Sequence, residues 1–143
     1  MKRNLFILSG SGFIGLNFIK NFKNKNYKIY LIGKKSRYNF FKTRISKKIK
    51  IIYENILSSK KIKKNNFYNS IVLLTTLNSN SILFKRKFSK LLEHINKSKP
   101  HKVILISSVG VYGNSNGRFI KPLDQYSKNC LFAENYCKKN LIN

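Results

Sequence analysis

Short apolar runs recur along the chain, and amphipathic stretches lie between them. The runs are rich in Ile, Leu and Val and predict five strands: Leu5–Leu8, Lys28–Ile32, Ile49–Tyr53, Ile71–Leu74 and Val103–Ile106. Mostly unbroken apolar runs are typical of strands covered on both faces, as in a parallel sheet. Apolar residues at helical spacing predict helices over Phe13–Asn24, Phe84–Ile95 and Tyr126–Leu141. The alternation of strands and helices favours an α/β fold.

The whole chain, residues 1–143, is predicted to form a single domain. A length of 143 residues suits one domain, and neither an internal repeat nor a linker-like segment divides it. The sequence predicts a Rossmann-like, doubly wound parallel sheet with strand order 3-2-1-4-5 and right-handed crossovers. Residues 34–46 and 57–66 are too polar to assign, and residues 114–125 are rich in turn formers.

The chain is strongly basic, with 30 Lys or Arg residues against 4 Asp or Glu residues and a net charge of +26. Such a surface attracts phosphates, so one hypothesis is a basic module that binds RNA or another polyanion. However, the lysines are scattered through every segment and accompany many Asn, Ile, Phe and Tyr residues, a mixture typical of AT-rich codons. We therefore favour compositional drift as the source of the charge, and the polyanion hypothesis stays open as the alternative.

The cysteines and histidines argue against a disulfide scaffold and a metal site. Two cysteines are too few for a disulfide framework or a multi-thiolate zinc site, which indicates a reducing, cytoplasmic setting. Cys130 and Cys137 share a helical stripe and are predicted to be buried thiols. His94 is predicted on a helix and His101 before a strand, so they form no ligand set. No apolar run approaches the ~20 residues of a membrane span.

A glycine-rich segment joins the first strand to the first helix: Ser9, Gly10, Ser11, Gly12, Phe13, Ile14 and Gly15. It contains G-x-G-x-x-G, which binds a dinucleotide pyrophosphate when it lies between a strand and a helix. We expect Gly10 to permit a tight turn, Gly12 to let backbone amides approach the pyrophosphate, and Gly15 to let the helix pack on the strand. The helix N-terminus would face the anion. These residues therefore predict a dinucleotide site.

The residues after the second strand bear on the choice of dinucleotide. NAD-binding sites of this kind usually carry an acidic residue near the end of that strand, which holds the ribose 2′-hydroxyl. This chain has Gly33, Lys34, Lys35 and Arg37 in that region and no acid. The cations suit a 2′-phosphate, so NADP is favoured over NAD, although both remain open.

Two motifs together resemble those of a known family. The segment Ser107-Ser108-Val109-Gly110-Val111-Tyr112-Gly113 follows the fifth predicted strand. With the opening Ser-Gly-Ser-Gly-Phe-Ile-Gly, it resembles the extended short-chain dehydrogenase/reductase family, and in particular the NAD-dependent epimerase/dehydratases of nucleotide sugars. The resemblance implies a Rossmann fold, a nicotinamide cofactor and hydride transfer at a nucleotide-sugar hydroxyl.

The family's functional positions carry over residue by residue. Ser9 stands at the first glycine of the family motif, which is a departure. Ser108 falls at the catalytic serine, where it would polarise the substrate oxygen, and Tyr126 at the catalytic tyrosine, which exchanges a proton with the substrate. The other carried-over positions lie after the third and fourth strands, where Asn55 and Ile56 match an adenine contact and Thr75 and Thr76 match residues that line the adenosine.

The family's catalytic lysine position is occupied by Cys130. In the family the lysine lies four residues after the tyrosine, lowers the tyrosine pKa and holds the nicotinamide ribose. Cysteine is too short to replace it and is mostly neutral at pH 7. Lys128 lies two residues from Tyr126 and therefore on another side of the helix. We predict that catalysis is impaired or lost.

The resemblance has two further implications. Family members run well beyond 143 residues and use a C-terminal region to bind the sugar nucleotide, so the chain is interpreted as a truncated, cofactor-facing part of the family fold. The family often dimerises through two helices, which correspond to the Phe84–Ile95 stripe and the Tyr126–Leu141 helix. A homodimer is therefore a further hypothesis, and a non-catalytic cofactor-binding protein is a rival to an active enzyme.

Overall fold

A five-stranded parallel sheet forms the centre of the molecule in the computed structural model. The structure describes residues 2–10, 12–33, 49–53, 66–74, 83–113, 122 and 124–141. The strands are β1 (Arg3–Leu8), β2 (Tyr27–Gly33), β3 (Ile49–Tyr53), β4 (Ile71–Leu74) and β5 (Lys102–Leu105). Their order is β3-β2-β1-β4-β5, and every neighbouring pair is parallel. The predicted fold class and strand order are confirmed.

Helices cover both faces of this sheet. The described helices are α1 (Phe13–Asn21), α2 (Phe84–Lys97) and α3 (Gln125–Asn140), with a 3₁₀ turn at Val109–Tyr112. Along β1, Phe6 and Leu8 point into the layer formed with α2 and α3, whereas Leu5 and Ile7 point into the layer formed with α1. All four side chains are buried. This burial on both sides explains why the central strands have unbroken apolar sequences.

The edge strand β5 differs from the central strands. Lys102 and Ile104 are exposed, and Ile104 keeps 39% of its surface accessible. The strand begins one residue earlier than the sequence predicted. Its pairing continues past its last residue, because the Ile106 N–H donates to the Leu74 carbonyl at 2.9 Å.

The apolar residues of α1 divide between the core and the surface. The helix buries Gly15 and Ile19, and the partly buried Phe18 and Phe22 pack against the same core cluster. Ile14 is 38% exposed, and Phe22 is the C-cap of the helix.

The apolar stripe on α2 is part of the core. Its members are all buried to at least 94%: Phe84, Phe88, Leu91, Leu92 and Ile95. Ala133 and Cys137 of α3 belong to the same cluster. This stripe is therefore part of the core of the molecule, and the homodimer hypothesis stays a prediction.

Two polar contacts join the carboxyl-terminal ends of α2 and α3. The Asn96 side-chain amide donates to the Asn140 carbonyl at 3.0 Å, and the Tyr136 hydroxyl donates to the Glu93 carboxylate at 3.4 Å. With the shared apolar cluster, these bonds hold α3 against α2. The amino-terminal end of α3, which carries Tyr126, is thereby placed beside the segment that follows β5.

Candidate functional site

The candidate site lies at the carboxyl edge of the sheet. Since all described strand pairs are parallel, the segments that follow the strands emerge at one edge, where ligands of open α/β sheets bind. The junction from β1 to α1 emerges here, next to the switch in strand order between β1 and β4. Gly33 is buried at the end of β2 on the same edge, and Ser108 follows β5.

Two glycines of the junction are required by packing inside the protein. A Cβ at Gly10 would collide with the Leu31 side chain and lie 2.9 Å from the Ile7 Cγ2 atom. A Cβ at Gly15 would lie 2.5 Å from the Gly10 Cα atom and 2.6 Å from its carbonyl oxygen. The contact confirms the expectation that Gly15 lets α1 pack closely on the chain leaving β1.

Gly12 is different, because an added Cβ there would collide with none of the described residues. It would meet the Ser9 carbonyl oxygen at an ordinary 3.7 Å. The backbone of Gly12 is extended, with φ −83° and ψ 172°, a conformation that any residue adopts. Gly12 is the N-cap of α1 and offers no side chain to the first helical amides. The Gly12 backbone therefore lies at a helix N-terminus, which attracts anions.

Ser9 begins the turn, which the Gly12 N–H closes by donating to the Ser9 carbonyl at 3.2 Å. The Ser9 φ of 60° lies in the left-handed region, which favours glycine, whereas Gly10 has no positive φ. Gly10 lies inside this turn, where an added Cβ would collide with the Leu31 side chain, and its role in permitting the turn stays a prediction. Ser9 occupies the first glycine position of the family motif, so this departure leaves a serine in a strained conformation.

The serine predicted from the second motif begins the 3₁₀ turn after β5. Ser108 is the N-cap of that turn, and its Oγ accepts a hydrogen bond from the Gly110 N–H at 3.2 Å. A hydroxyl that accepts this bond keeps its own proton for donation elsewhere. Val109 and Tyr112 of the same turn are 86% and 55% exposed, so the turn lies at the surface.

The helix that carries Tyr126 begins at an aspartate cap. One Asp124 carboxylate oxygen accepts from the Ser127 N–H at 2.8 Å, and the other accepts from the Ser127 hydroxyl at 2.9 Å. These two hydrogen bonds lower the pKa of the Asp124 carboxyl below its ordinary value, and the bond from the backbone N–H has the larger effect. Ser127 is 2% exposed and contacts Gly110, where an added Cβ would collide with the Ser127 Oγ atom.

Cys130 lies one helical turn after Tyr126, as the sequence alignment predicted. Burial raises the pKa of the Cys130 thiol, the hydrogen bond with the Tyr126 side chain opposes that rise, and the nearby Glu134 and Asp124 carboxylates add to it. The thiol is therefore neutral at pH 7. Lys128 is exposed, as expected for the other side of the helix.

Both cysteines are free and buried, which confirms the prediction from the helical stripe. Burial raises the pKa of Cys137 to about 11, so this thiol is also neutral and unreactive. Within the described ranges, no group of three or more His, Cys, Asp or Glu side chains is placed to hold a metal ion. The helices of that same part of the chain are too short or too polar to cross a bilayer.

A small apolar cleft opens beside Cys130. It is lined by side chains from α2, α3 and the end of β5: Phe84, Phe88, Leu105, Ile106, Ser107, Cys130 and Ala133. The Ser107 Oγ atom is buried there and has no hydrogen-bond partner among the described residues. The cleft is small, with room for about one water molecule.

Several predicted site residues lie outside the described residues. These are Ser11 in the junction, Lys34, Lys35 and Arg37 after β2, Asn55 and Ile56 after β3, and Thr75 and Thr76 after β4. The structure therefore describes most of the β1–α1 junction and the Ser108–Tyr126–Cys130 region, and the binding and catalytic roles of these residues stay predictions. The adenosine end remains a prediction from the sequence.

The fold and junction define the chain as a Rossmann-like nucleotide-binding domain. A family model described as the NAD dependent epimerase/dehydratase family matches residues 5–139, and the chain belongs to this family. Among curated proteins, no relative matches the chain.

Solved structures with the same fold include several enzymes of this kind. A wide-type short-chain dehydrogenase/reductase from Veillonella parvula, in complex with NADP, is 17% identical with a TM-score of 0.69, and the match covers 99% of this chain and 66% of that one. UDP-N-acetylglucosamine 4-epimerase from Methanobrevibacter ruminantium, in complex with UDP-N-acetylmuramic acid, is 21% identical with a TM-score of 0.71 and coverages of 97% and 51%. The Bordetella bronchiseptica enzyme WbmG, in complex with NAD, is 12% identical with a TM-score of 0.73 and coverages of 99% and 51%. The chain thus spans between half and two thirds of the length of these proteins.

Four residues of the site region were missed by the sequence analysis: Ser107, Gly110, Asp124 and Ser127. Asp124 and Ser127 had a local signal, since an aspartate three residues before a serine at the start of a helical stretch is typical of an N-cap. The roles of Ser107 and Gly110 depend on contacts between segments that are distant in sequence, and no local pattern indicates them.

Replacing Ser9 by glycine should stabilise the protein. An L-residue in the left-handed region costs about 1–2 kcal/mol, and the greater freedom of glycine in the unfolded chain offsets about 0.5–1 kcal/mol of the gain. We expect Ser9→Gly to raise the free energy of unfolding by about 0.5–1 kcal/mol in urea titrations. Ser89→Gly, in the middle of α2, is the matched control and should lower it by about 1 kcal/mol. A loss of stability in Ser9→Gly would contradict the strained conformation.

The Asp124 cap should make part of the stability pH-dependent. Because the pKa of Asp124 is lower in the folded state, its contribution is present above the unfolded pKa and is lost as pH falls through the folded pKa. We expect the melting temperature of the wild type to exceed that of Asp124→Asn at pH 7, and the difference to shrink below about pH 4. Thermal melts from pH 7 to pH 2.5 measure this, and a difference independent of pH would contradict it.

Proposed function

We propose that this chain binds a nicotinamide dinucleotide, with the pyrophosphate over Gly12 at the β1–α1 junction. The observation that carries the proposal is the contrast between the three glycines. Gly10 and Gly15 are explained by contacts within the protein, whereas an added Cβ at Gly12 would meet no close contact among the described residues. A glycine that these contacts do not require, at the N-terminus of a helix, supports a ligand that approaches the backbone there.

The cofactor in this proposal is NADP or NAD, with NADP favoured. Lys34, Lys35 and Arg37 suit the 2′-phosphate of NADP, and the region after β2 has no acidic residue. Asn55 and Ile56 are assigned to the adenine end, and Thr75 and Thr76 to the adenosine, on the family resemblance. One structural neighbour is in complex with NADP and another with NAD, so both types of cofactor occur on this fold.

The substrate class proposed for the site is a nucleotide sugar. Support comes from the family and from neighbours that are UDP-sugar 4-epimerases. The bound nicotinamide would supply or accept a hydride. Ser108 would donate a hydrogen bond to the substrate oxygen, since its Oγ already accepts from Gly110, and Tyr126 would exchange a proton with the substrate hydroxyl.

Catalysis by this site is proposed to be impaired. A positive charge one turn from the tyrosine would favour its ionised form, but Cys130 offers a neutral thiol there. The Tyr126 side chain hydrogen-bonds that thiol instead of an ammonium. We therefore expect hydride transfer with nucleotide sugars to be absent or negligible, and we assign the chain a cofactor-binding role.

The polyanion alternative receives less support. The exposed cations of the described residues lie on all three helices, on β1, β2, β3 and β5 and in connecting loops, and therefore on several sides of the molecule. Examples are Lys20 on α1, Lys90 on α2 and Lys138 on α3. Charge spread in this way favours weak, sequence-independent attraction of nucleic acid that salt removes, rather than a defined binding face.

Substitutions at the three glycines should separate binding from folding. We expect Gly12→Val to lower the stability by no more than about 1 kcal/mol, because valine is a poorer N-cap than glycine but an added Cβ meets no close contact among the described residues. The same change should weaken binding of NADPH and NADH by at least about tenfold. Gly10→Ala and Gly15→Ala should lose stability through backbone and side-chain collisions. Nicotinamide fluorescence titrations and urea unfolding measure the two effects.

The wild type titrated with NADPH and with NADH is the reference for this series. If it bound neither dinucleotide at millimolar concentration, the proposed function would be wrong. If Gly12→Val bound as tightly as the wild type, the dinucleotide would not lie over Gly12. Stronger binding of NADH than of NADPH would remove only the preference assigned to Lys34 and Arg37.

Restoring a lysine at position 130 should strengthen cofactor binding. In the family the lysine at this position holds the nicotinamide ribose, and hydrogen bonds to charged groups contribute about 1.5–3 kcal/mol. We expect Cys130→Lys to lower the Kd for the dinucleotide by about tenfold or more, measured by the same titration. Cys130→Met is the matched control, because it adds length without charge and should leave the Kd unchanged.

Two results would contradict the account of Cys130. Equal binding by Cys130→Lys and Cys130→Met would show that the ammonium does not reach the cofactor. Robust reduction of NAD or NADP by the unmodified chain with a nucleotide sugar would show that the site functions without the lysine.

A further inference from the structure

We propose that Ser127 is a positioning residue that keeps the Ser108 hydroxyl in a fixed orientation relative to Tyr126. The inference rests on the proposed function for the role of these two hydroxyls, whereas the contacts that carry it are independent of any cofactor. The two groups come from different segments, one on the turn after β5 and the other on α3. A contact between the two segments must therefore fix their relative position, and Ser127 lies at that contact.

The first step is the attachment of Ser127 to its own helix. Its N–H and its hydroxyl donate to the two oxygens of the Asp124 carboxylate at 2.8 and 2.9 Å. Ser127 is 2% exposed, so these bonds are shielded by the surrounding protein on the serine side. With both groups engaged, the Ser127 Oγ atom has a defined place at the first turn of α3, next to Tyr126 in the chain.

The second step is the contact with the 3₁₀ turn. A Cβ built on Gly110 would collide with the Ser127 Oγ atom, while the Ser127 Cβ atom and the Ser108 Oγ atom would lie at ordinary distances of 3.4 and 3.5 Å. The Gly110 backbone thus lies directly against the Ser127 hydroxyl oxygen. Glycine is required at position 110 because of this one atom.

The third step leads from Gly110 to the site serine. The Gly110 N–H donates to the Ser108 Oγ atom at 3.2 Å. Because this bond has a defined direction, it selects one orientation of the Ser108 side chain and directs the remaining hydroxyl proton away from Gly110. Asp124, Ser127, Gly110 and Ser108 therefore form a continuous series of contacts from the cap of α3 to the site hydroxyl.

The contact between Gly110 and Ser127 allows a test in which a hydroxyl is removed at one position and a methyl group is added at the other. Ser127→Ala removes the atom that contacts Gly110, and we expect the Gly110 amide to exchange with deuterium at least about tenfold faster. Ser108 should change from one side-chain rotamer to a mixture, visible in its NMR couplings. Gly110→Ala should disturb the turn in the same way. The double variant Gly110→Ala/Ser127→Ala should restore a single Ser108 rotamer, because the added methyl group occupies the space of the removed hydroxyl.

Three comparisons make the outcome decisive. Ser108→Ala removes the acceptor and should speed exchange of the Gly110 amide as Ser127→Ala does, whereas Ser89→Ala, an exposed serine on α2 bonded to its own helix backbone, should not. If Ser127→Ala left both the amide exchange and the Ser108 rotamer unchanged, or if the double variant were more disordered than Gly110→Ala alone, the proposal would be overturned. If Ser127→Ala did not fold, the comparison of Gly110→Ala with the double variant would still decide it. None of these readouts needs a dinucleotide, so failure of the proposed function leaves them interpretable.

Discussion

The contact between Gly10 and Gly15 is the constraint on which the site depends. The backbone of one approaches the other so closely that a single added carbon atom at Gly15 would lie 2.5 Å from the Gly10 Cα atom. This approach places the start of α1 against the end of β1, with Gly15 and Ile19 buried. The helix N-terminus then lies at the carboxyl edge, at Gly12. The anion site proposed at this edge thus depends on the packing between two glycines.

A second junction, after β5, organises the other half of the site. Here the close contact is between a glycine of the 3₁₀ turn and a buried serine of α3. The two junctions are alike, because in each a glycine lets a helix approach the segment that follows a strand. They differ in what holds the helix. At α1 the N-cap has no side chain, which leaves the amides to a ligand, whereas at α3 Asp124 satisfies them within the protein.

Cys130 fits the packing of the fold and leaves no charge beside the tyrosine. The thiol is buried beside Phe84, Phe88 and Ala133, where a small apolar group packs well. The same burial raises its pKa and keeps it neutral, so it brings no charge to the neighbouring Tyr126. Within the described part of the chain, the Ser107 hydroxyl in the adjoining cleft has no hydrogen-bond partner.

Local sequence determined the bounds of the strands and helices to within a few residues, because apolar runs and helical stripes indicate which residues are buried at the faces of a sheet. The alternation of strands and helices indicated the doubly wound sheet and its strand order. It also located Gly12, Ser108, Tyr126 and Cys130, whose motifs are continuous in the chain. Tertiary structure alone decided the rest. The turn at Ser9, the buried face of α1 and the contact of Gly110 with Ser127 each depend on the distance between segments that come together only after folding. The spacing of residues along the chain predicts helices and strands, but it does not indicate which atom of one segment limits the approach of another segment.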